Sequence, residues 1–151
     1  MIDILFICKA NVQRSQVAEG LYNSYSKVSK AISCAGVEAR KEKYNGKPEK
    51  NITSILLEDG IDLSKQNINY ITDFNLNELN MLKRVIFLFN PINEKIIDKE
   101  CLINGESVYE YFRDKQYIEI IIHEIQDPYK LSFDKTLEIY KKIDNFIKKL
   151  S

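Results

Sequence analysis

One short segment near the start of the chain combines side chains that can bind and attack an oxyanion. Cys8 opens this segment and Arg14-Ser15 close it, with five residues between the cysteine and the arginine. Arg14 can donate two parallel hydrogen bonds to phosphate-like oxygens. The positive field that binds such an anion also favours the thiolate of Cys8, which is the nucleophilic form of that side chain. Ser15 is placed to hydrogen-bond the sulfur, so the pattern predicts a nucleophilic cysteine in an anion-binding loop.

The elements on either side of this segment suit such a loop. Apolar residues at Ile4–Ile7 predict a strand before it, and Val17–Tyr22 follow it with a helical pattern. A loop at this junction can turn its backbone N–H groups inward, and the next helix adds the positive end of its dipole. A buried cysteine beside a solvated arginine is the alternative, but the joint spacing favours the anion site. The candidate catalytic residues here are Cys8 and Arg14, and the candidate binding residues are Lys9, Ala10, Asn11, Val12, Gln13 and Ser15.

Four segments of the chain resemble a known family. Ile4–Glu19 is similar to the opening of the low-molecular-weight protein tyrosine phosphatases, which begin with a strand and then Cys, five residues and Arg-Ser. The relatives of that family include the thioredoxin-coupled arsenate reductases. Ser33–Arg40 and Leu57–Ser64 also resemble family segments, and Asp127–Tyr129 resembles the loop that carries the general acid. The resemblance therefore extends over nearly the whole chain.

The resemblance implies a two-step phosphoryl transfer. Cys8 would attack phosphorus, while the loop N–H groups and Arg14 would hold the oxygens over which charge spreads. Asp127 would protonate the leaving oxygen and then take a proton from the water that hydrolyses the cysteinyl-phosphate. Tyr129 and Tyr44 are candidates for an aromatic slot around a phosphotyrosine ring. The implied partners are a phosphorylated protein or a small phosphomonoester, with inorganic phosphate as product or inhibitor, and no metal or cofactor is expected.

The chain departs from the family pattern at four places. Gln13 stands where many family phosphatases have a second loop cysteine, so a disulfide between neighbouring loop cysteines cannot form. Ala10 replaces the usual loop glycine, and Gln16 replaces the usual proline after the serine. After Ser64 the family often has a histidine, where this chain has Lys65–Asn67. The departures at Ala10, Gln13 and Gln16 keep open the alternative of a catalytically weak, oxyanion-binding regulatory module.

The other cysteines bear on a further alternative, an arsenate reductase. Thioredoxin-coupled reductases need two more cysteines, the first just after the third strand, where this chain has Phe89–Pro91. Cys34 falls in a predicted strand and is expected to be inert core. Cys101 follows charged residues and is expected to be a partly exposed free thiol. The single histidine, His123, is expected to be structural rather than catalytic.

Length and composition are typical of one globular domain spanning residues 1–151. Lysine and arginine total 22, as do aspartate and glutamate, and the resulting net charge of zero gives no reason to expect a nucleic-acid partner. No apolar run approaches the roughly 18 residues of a membrane helix, so no membrane contact is expected. Three cysteines form no disulfide framework, which predicts a reducing, cytoplasmic environment.

Predicted strands and helices alternate along the chain. Strands are expected at 3–7, 31–35, 85–88 and 117–122, and 107–112 is a second candidate for the fourth strand that we interpret as a helix or secondary edge. Helices are expected at 15–30, 48–59, 75–81, in a short segment ending at 97, and at 133–150. This alternation predicts an α/β, three-layer flavodoxin-like fold, with a four-stranded parallel sheet and helices on both faces. Cys8 and Asp127 both follow predicted strands, so they should meet at the carboxyl edge of the sheet.

Overall fold

The computed structural model describes all residues from 1 to 151. Two single-turn 3₁₀ helices, Ile71–Asp73 and Lys99–Cys101, accompany the regular elements. The regular elements are β1 (Ile2–Cys8), α1 (Arg14–Tyr25), β2 (Lys30–Ala35), α2 (Lys50–Glu58), α3 (Leu76–Asn80), β3 (Arg84–Phe87), β4 (Leu102–Ile103), β5 (Glu106–Ser107), α4 (Val108–Arg113), β6 (Glu119–Ile122) and α5 (Phe133–Leu150).

Four of the strands form a parallel sheet in the order β2-β1-β3-β6. Ile7 of β1 pairs with Cys34 of β2 on one side and with Phe87 of β3 on the other. Phe87 in turn pairs with Ile122 of β6. The two short strands β4 and β5 form a separate antiparallel pair. Because the four strands are parallel, all their carboxyl ends lie at one edge of the sheet, as predicted.

The sheet is covered on both faces, because successive side chains of a strand point to opposite sides. Ile4 and Phe6 belong to an apolar cluster with α1, α2 and α5. Leu5 and Ile7 belong to a second cluster with α3 and α4. All four side chains are fully buried, and burying each one stabilises the fold by about 1.5–3 kcal/mol. The predicted three-layer α/β architecture is confirmed.

Polar residues and glycine set the ends of two helices, of which α2 begins two residues later than predicted. Glu49 caps α2 by accepting a hydrogen bond from the Ile52 N–H, and Gly60, with a φ of 80°, follows its end. Ser132 caps α5 by accepting from the Lys135 N–H, and this helix has the predicted bounds. None of the helices combines the length and the apolar composition that crossing a bilayer requires.

The helix predicted at 15–30 is shorter in the structure and ends at Tyr25. Ser26 has an extended backbone, with a φ of −84° and a ψ of 133°. Its hydroxyl accepts a hydrogen bond from the Ser29 N–H at 3.2 Å, which offers the backbone an alternative to another helical turn. The Lys30 N–H then donates to the carbonyl of Met1, so the chain joins the sheet directly.

The prediction of a short helix ending at residue 97 is wrong, because this segment forms a turn and then irregular backbone. The side chain of Asn90 accepts from the Ile92 N–H, and Asn93 is left-handed with a φ of 64°. The N–H groups of Ile97 and Asp98 donate to the carbonyl of Val37 instead of bonding within a helix. Contacts with a distant loop therefore override the local pattern.

The fourth central strand is the segment Glu119–Ile122, so the choice of 117–122 over 107–112 is confirmed apart from its first two residues. Residues 108–113 form α4, as the helical interpretation predicts. Ser107 and Glu110 form a reciprocal capping box at its start. The strand begins late because the Ile118 N–H still bonds within a turn, to the carbonyl of Lys115.

Candidate active site

Cys8 is the last residue of β1 and lies at the carboxyl edge of the sheet. Its sulfur is 2.9 Å from the hydroxyl oxygen of Ser15, as the sequence predicts. The backbone N–H of Asn11 also donates to this sulfur at 3.3 Å. The carbonyl of Cys8 accepts from the Gly36 N–H in the loop after β2. The sulfur is thus held by two hydrogen bonds at the start of the loop that connects β1 to α1.

The backbone of this loop supplies several unpaired donors. The N–H groups of Ala10, Val12, Gln13 and Arg14 donate to no acceptor within the protein, and α1 begins at Arg14 without a side-chain cap. Asn11 has the only positive φ of the loop, 57°. The alanine that replaces the usual glycine is therefore at a position without left-handed strain. Such a group of N–H donors at a helix start can bind an anion.

Asn11 is fully buried beneath the loop, and its side chain fixes the loop by several hydrogen bonds. Its amide nitrogen donates to the hydroxyls of Ser15 and Ser33 at 2.7 and 2.8 Å. Its amide oxygen accepts from the Asn69 N–H at 2.8 Å and from the side chain of Gln16 at 3.0 Å. These contacts stabilise the left-handed conformation, which asparagine tolerates better than most residues.

Arg14 is buried, with only 5% of its side chain exposed. Its Nη1 atom donates to the carbonyl of Leu88 at 3.3 Å and to that of Ile125 at 2.8 Å. These two carbonyls follow β3 and β6, so the guanidinium joins the ends of two neighbouring strands. Its Nη2 atom lies 3.7 Å from an oxygen of Asp127. The structure thus adds an anchoring role that the sequence did not predict.

Asp127 and Tyr129 lie on the loop after β6, at the mouth of the site. Oδ1 of Asp127 accepts from the Tyr129 N–H at 3.0 Å, and half of the aspartate side chain is exposed. Three cations surround the tyrosine ring: Arg40 at 5.6 Å and Lys43 and Lys130 each at 5.3 Å from its centroid. The positive charges of Lys43 and Lys130 lower the pKa of Tyr129.

A cavity of about 240 Å³ brings most of the predicted residues together. Asn11 and Ser15 do not line it, because both side chains are fully buried and hydrogen-bond within the loop. Sequence reasoning did not name five further lining residues: Val37, Glu38, Arg40, Glu94 and Ile97. The first three lie in or at the end of the segment Ser33–Arg40, whose family resemblance could have indicated them, whereas the sequence around the other two carries no chemical motif. The predicted residues that line the cavity are Cys8, Lys9, Ala10, Val12, Gln13, Arg14, Tyr44, Asp127 and Tyr129.

A chain of hydrogen bonds leads from the sulfur to a partly buried carboxyl group. It passes from Cys8 through Ser15 and Asn11 to Ser33. The Ser33 hydroxyl donates to Oε1 of Glu19 at 2.7 Å. Burial raises the pKa of Glu19 from 4.5 to about 7, and the hydrogen bonds from Ser33 oppose this shift without cancelling it. Glu19 is part of the family resemblance, but the sequence alone did not indicate this link.

Neither of the other two cysteines lines the cavity. Cys34 is fully buried on the sheet face opposite Cys8, and burial raises the pKa of its thiol, in agreement with an inert core residue. The expectation that Cys101 is partly exposed is wrong. It is fully buried beside Val12 and Ile68, because the 3₁₀ turn directs it inward, and burial raises its pKa to about 12.

His123 and the acidic residues form no metal centre. The His123 ring stacks on Phe146 at a centroid distance of 4.0 Å, away from the residues that line the cavity. The structure contains no group of three or more His, Cys, Asp or Glu side chains placed to hold a metal ion.

Comparison with known families identifies the family of this chain. A family model described as low molecular weight phosphotyrosine protein phosphatase matches residues 3–151. The chain belongs to this family. Members of the family are generally cysteine-dependent phosphatases. A comparison with curated protein sequences found no match.

Solved structures of both phosphatases and arsenate reductases share the fold. An arsenate reductase from Archaeoglobus fulgidus has a TM-score of 0.69 and 19% identity, with 98% of each chain covered. An arsenate reductase in a phosphate-binding state has a TM-score of 0.71 and 21% identity, over 99% of this chain and 96% of that one. The tyrosine phosphatase AmsI of Erwinia amylovora has a TM-score of 0.69 and 18% identity, over 99% and 91%. At these identities the likeness concerns the fold.

Proposed function

We propose that residues 1–151 form a single phosphatase domain that hydrolyses phosphomonoesters, with protein phosphotyrosine as the substrate class. The observation that carries this proposal is that Cys8, Arg14 and Asp127 line one cavity. Unpaired N–H groups of the loop lie beside them. Membership of the phosphatase family supports the same reaction, and a structure with the same fold is described in a phosphate-binding state.

The first step forms a cysteinyl-phosphate. The thiolate of Cys8 attacks phosphorus, so that the S–P bond forms while the P–O bond to the leaving group breaks. The loop N–H groups and the free edge of the Arg14 guanidinium stabilise the charge on the three equatorial oxygens. Asp127 gives its proton to the leaving oxygen. Its exposed position at the cavity mouth supports this role, because the leaving group must face outward.

The second step releases inorganic phosphate. A water molecule attacks phosphorus, the new O–P bond forms and the S–P bond breaks, which regenerates the thiolate of Cys8. The carboxylate of Asp127 accepts the proton that this water loses. Ser15, 2.9 Å from the sulfur, stabilises the departing thiolate by a hydrogen bond.

The walls of the cavity support an aromatic substrate. Tyr44 and Tyr129 line it together with apolar Val12, Val37 and Ile97. A phosphotyrosine ring gains by packing against such aromatic and aliphatic side chains.

Arsenate reduction is the second candidate, since solved arsenate reductases share the fold. A reductase of the thioredoxin-coupled type must pass oxidation from the nucleophile to further cysteines. Cys34 faces the opposite side of the sheet and Cys101 is fully buried, so neither lines the cavity. The absence of a thiol beside Cys8 favours hydrolysis. A thiolate without a protective neighbour also suits the reducing cytoplasm, which we propose as the location of the protein.

An assay with p-nitrophenyl phosphate, a phosphotyrosine peptide and arsenate tests the proposal. We expect both phosphate esters to be hydrolysed, in the presence of a metal chelator as well as without it. Cys8→Ser should abolish turnover and still bind inorganic phosphate in calorimetry, because the hydroxyl stays protonated. Cys34→Ala is the matched control and should retain turnover, since Cys34 is on the other face of the sheet.

Two results would contradict the proposal. Arsenate-dependent oxidation of the thiols, without ester hydrolysis, would identify a reductase. Phosphate binding without turnover of any ester would identify the oxyanion-binding module.

A further inference from the structure

Gln16 is a fully buried side chain that folds back under the Cys8 loop. Its amide nitrogen donates to the carbonyl of Asn11 at 3.0 Å and to the side-chain oxygen of the same residue at 3.0 Å. It also donates to the carbonyl of Asn67 at 2.9 Å. Three acceptors around one nitrogen determine which end of the amide faces the loop. The family that this sequence resembles usually has proline here, which has no side-chain donor.

Gln66 supports the other end of this amide. Its nitrogen donates to the side-chain oxygen of Gln16 at 2.7 Å and to its carbonyl at 3.1 Å. Residues 64–67, which include Gln66, are held in turn by Lys47. Its ammonium group donates to the carbonyls of Ser64 and Gln66 and to the side chain of Asn67. The two glutamines therefore fix each other between α1 and this segment.

The contact with the carbonyl of Asn11 has a geometric consequence for the cavity. Within the protein, Gln16 is the only donor to this carbonyl. In a trans peptide the C=O of one residue and the N–H of the next point in opposite directions. A carbonyl of Asn11 held on the buried side therefore directs the N–H of Val12 to the other side. Val12 lines the cavity, and its N–H has no acceptor within the protein.

We propose that Gln16, supported by Gln66, is a positioning residue that holds the Asn11–Val12 peptide so that the Val12 N–H faces the bound phosphoryl group. The inference rests on the proposed function, because it assigns the anion-binding orientation of one loop donor. It also explains how the loop keeps its conformation with glutamine at the proline position and without the usual histidine after Ser64.

Gln16→Met tests this inference, because methionine has a similar length and no donor. We expect the affinity for inorganic phosphate, measured by calorimetry, to fall at least about tenfold, as for loss of one hydrogen bond to a charged group. kcat/KM for p-nitrophenyl phosphate should fall by at least as much. In the wild type, phosphate should move the NMR resonance of the Val12 amide proton downfield, and in Gln16→Met this shift should be lost.

Two further variants separate positioning from packing. Gln16→Glu keeps the shape of the side chain but places a carboxylate against the carbonyl of Asn11, so phosphate binding should be weaker at pH 7. The affinity should recover at lower pH, where the carboxyl group is protonated. Gln66→Met should reduce the phosphate affinity by a smaller factor than Gln16→Met. The affinity of the double variant should fall by less than the product of the two single factors, since Gln66 acts through Gln16.

Tyr22→Phe is the matched control on the same helix. It removes a buried hydrogen bond to Ser29 far from the loop, so it should lower the melting temperature and leave phosphate affinity unchanged. Wild-type phosphate affinity and an unchanged Val12 shift in Gln16→Met would overturn the inference. If Gln16→Met does not fold, unchanged affinity in both Gln66→Met and Gln16→Glu would overturn it. A wild-type protein that binds no phosphate would instead contradict the proposed function.

Discussion

Asp127 uses one carboxylate oxygen in a turn and directs the other toward Arg14, so its two possible roles can be separated. An asparagine at this position would still accept the Tyr129 N–H through its side-chain oxygen, but it could not donate an acidic proton. We expect Asp127→Asn to lower kcat for a phosphotyrosine peptide roughly 100-fold or more, and to lower kcat for p-nitrophenyl phosphate much less, because nitrophenolate leaves without protonation. Steady-state kinetics with both substrates measures the difference.

The turn contact of Asp127 has a counterpart elsewhere, which supplies the control. Asp62 accepts from the Ser64 N–H at 2.8 Å, in the same relation as Asp127 to Tyr129, and lies outside the cavity. Asp62→Asn should leave both rates unchanged. Equal losses for the two substrates in Asp127→Asn, with a lower melting temperature, would assign Asp127 to the turn alone.

Arg14 contacts two carbonyls and borders the cavity, so another positively charged side chain cannot take its place. Lysine has no planar fork to bond both carbonyls and still present parallel donors to an anion. We expect Arg14→Lys to lower kcat about 100- to 1000-fold, the usual effect of losing a donor to developing charge. Arg113→Lys, at an exposed position on α4, is the control and should be neutral. Rates for Arg14→Lys within a factor of about three of the wild type would remove Arg14 from the mechanism.

At the scale of the elements, strand alternation decides how Cys8 responds to oxidation. Cys8 and Cys34 lie on adjacent strands, but Cys34 pairs with Ile7 and so faces the other side of the sheet. Gln13 removes the neighbouring loop cysteine as well. We expect mild peroxide to drive Cys8 to sulfinic and sulfonic acids without a protective disulfide. Mass spectrometry after treatment with peroxide and then dithiothreitol measures the irreversible fraction.

The substitution Gln13→Cys provides the reverse test of this prediction. It places a thiol in the loop itself, so part of Cys8 should become recoverable by dithiothreitol. Gln116→Cys, on the exposed surface, is the control and should give no protection. Full recovery in the wild type, with a bridge from Cys8 to Cys34 or Cys101, would show that the sheet allows a disulfide that its register opposes.

At the scale of the whole molecule, the burial of Glu19 against the sheet raises its pKa and so couples the stability of the fold to pH. In the folded protein the pKa of Glu19 is raised to about 7, against 4.5 for the exposed side chain. Between these values the folded state binds more protons than the unfolded state, so the free energy of unfolding falls as pH rises through this window. At about 1.4 kcal/mol for each pKa unit, the burial of Glu19 costs roughly 3 kcal/mol above pH 7.

Glu19→Gln should remove this dependence, because the amide keeps an acceptor for Ser33 and does not ionise. We expect the variant to gain stability relative to the wild type between pH 5 and pH 7.5 in urea unfolding. Glu58→Gln, at an exposed position on α2, should follow the wild-type curve. Parallel curves for Glu19→Gln and the wild type would show that Glu19 is ionised in the folded protein across this range.

Local patterns in the sequence determined the order of the elements and the chemistry of the Cys8 loop. Some signals affect only residues next to them in the chain, so the pattern and the structure agree there. They are the apolar run before Cys8, the helix cap at Ser132 and the helix end at Gly60. The spacing of Cys8, Arg14 and Ser15 likewise specifies a loop between one strand and the next helix. The parallel order of the strands then brings Asp127 to the same edge.

Only the tertiary structure decided which groups complete the site and which are buried outside it. The irregular segment before Ile97 and the burial of Cys101 each depend on hydrogen bonds or packing with residues far along the chain. Gln16 meets Gln66 across 50 residues, and Arg14 reaches Ile125 across 111. Such contacts leave no periodic or local signal in the sequence, because their energy arises only when the sheet and its two helical layers bring distant segments together.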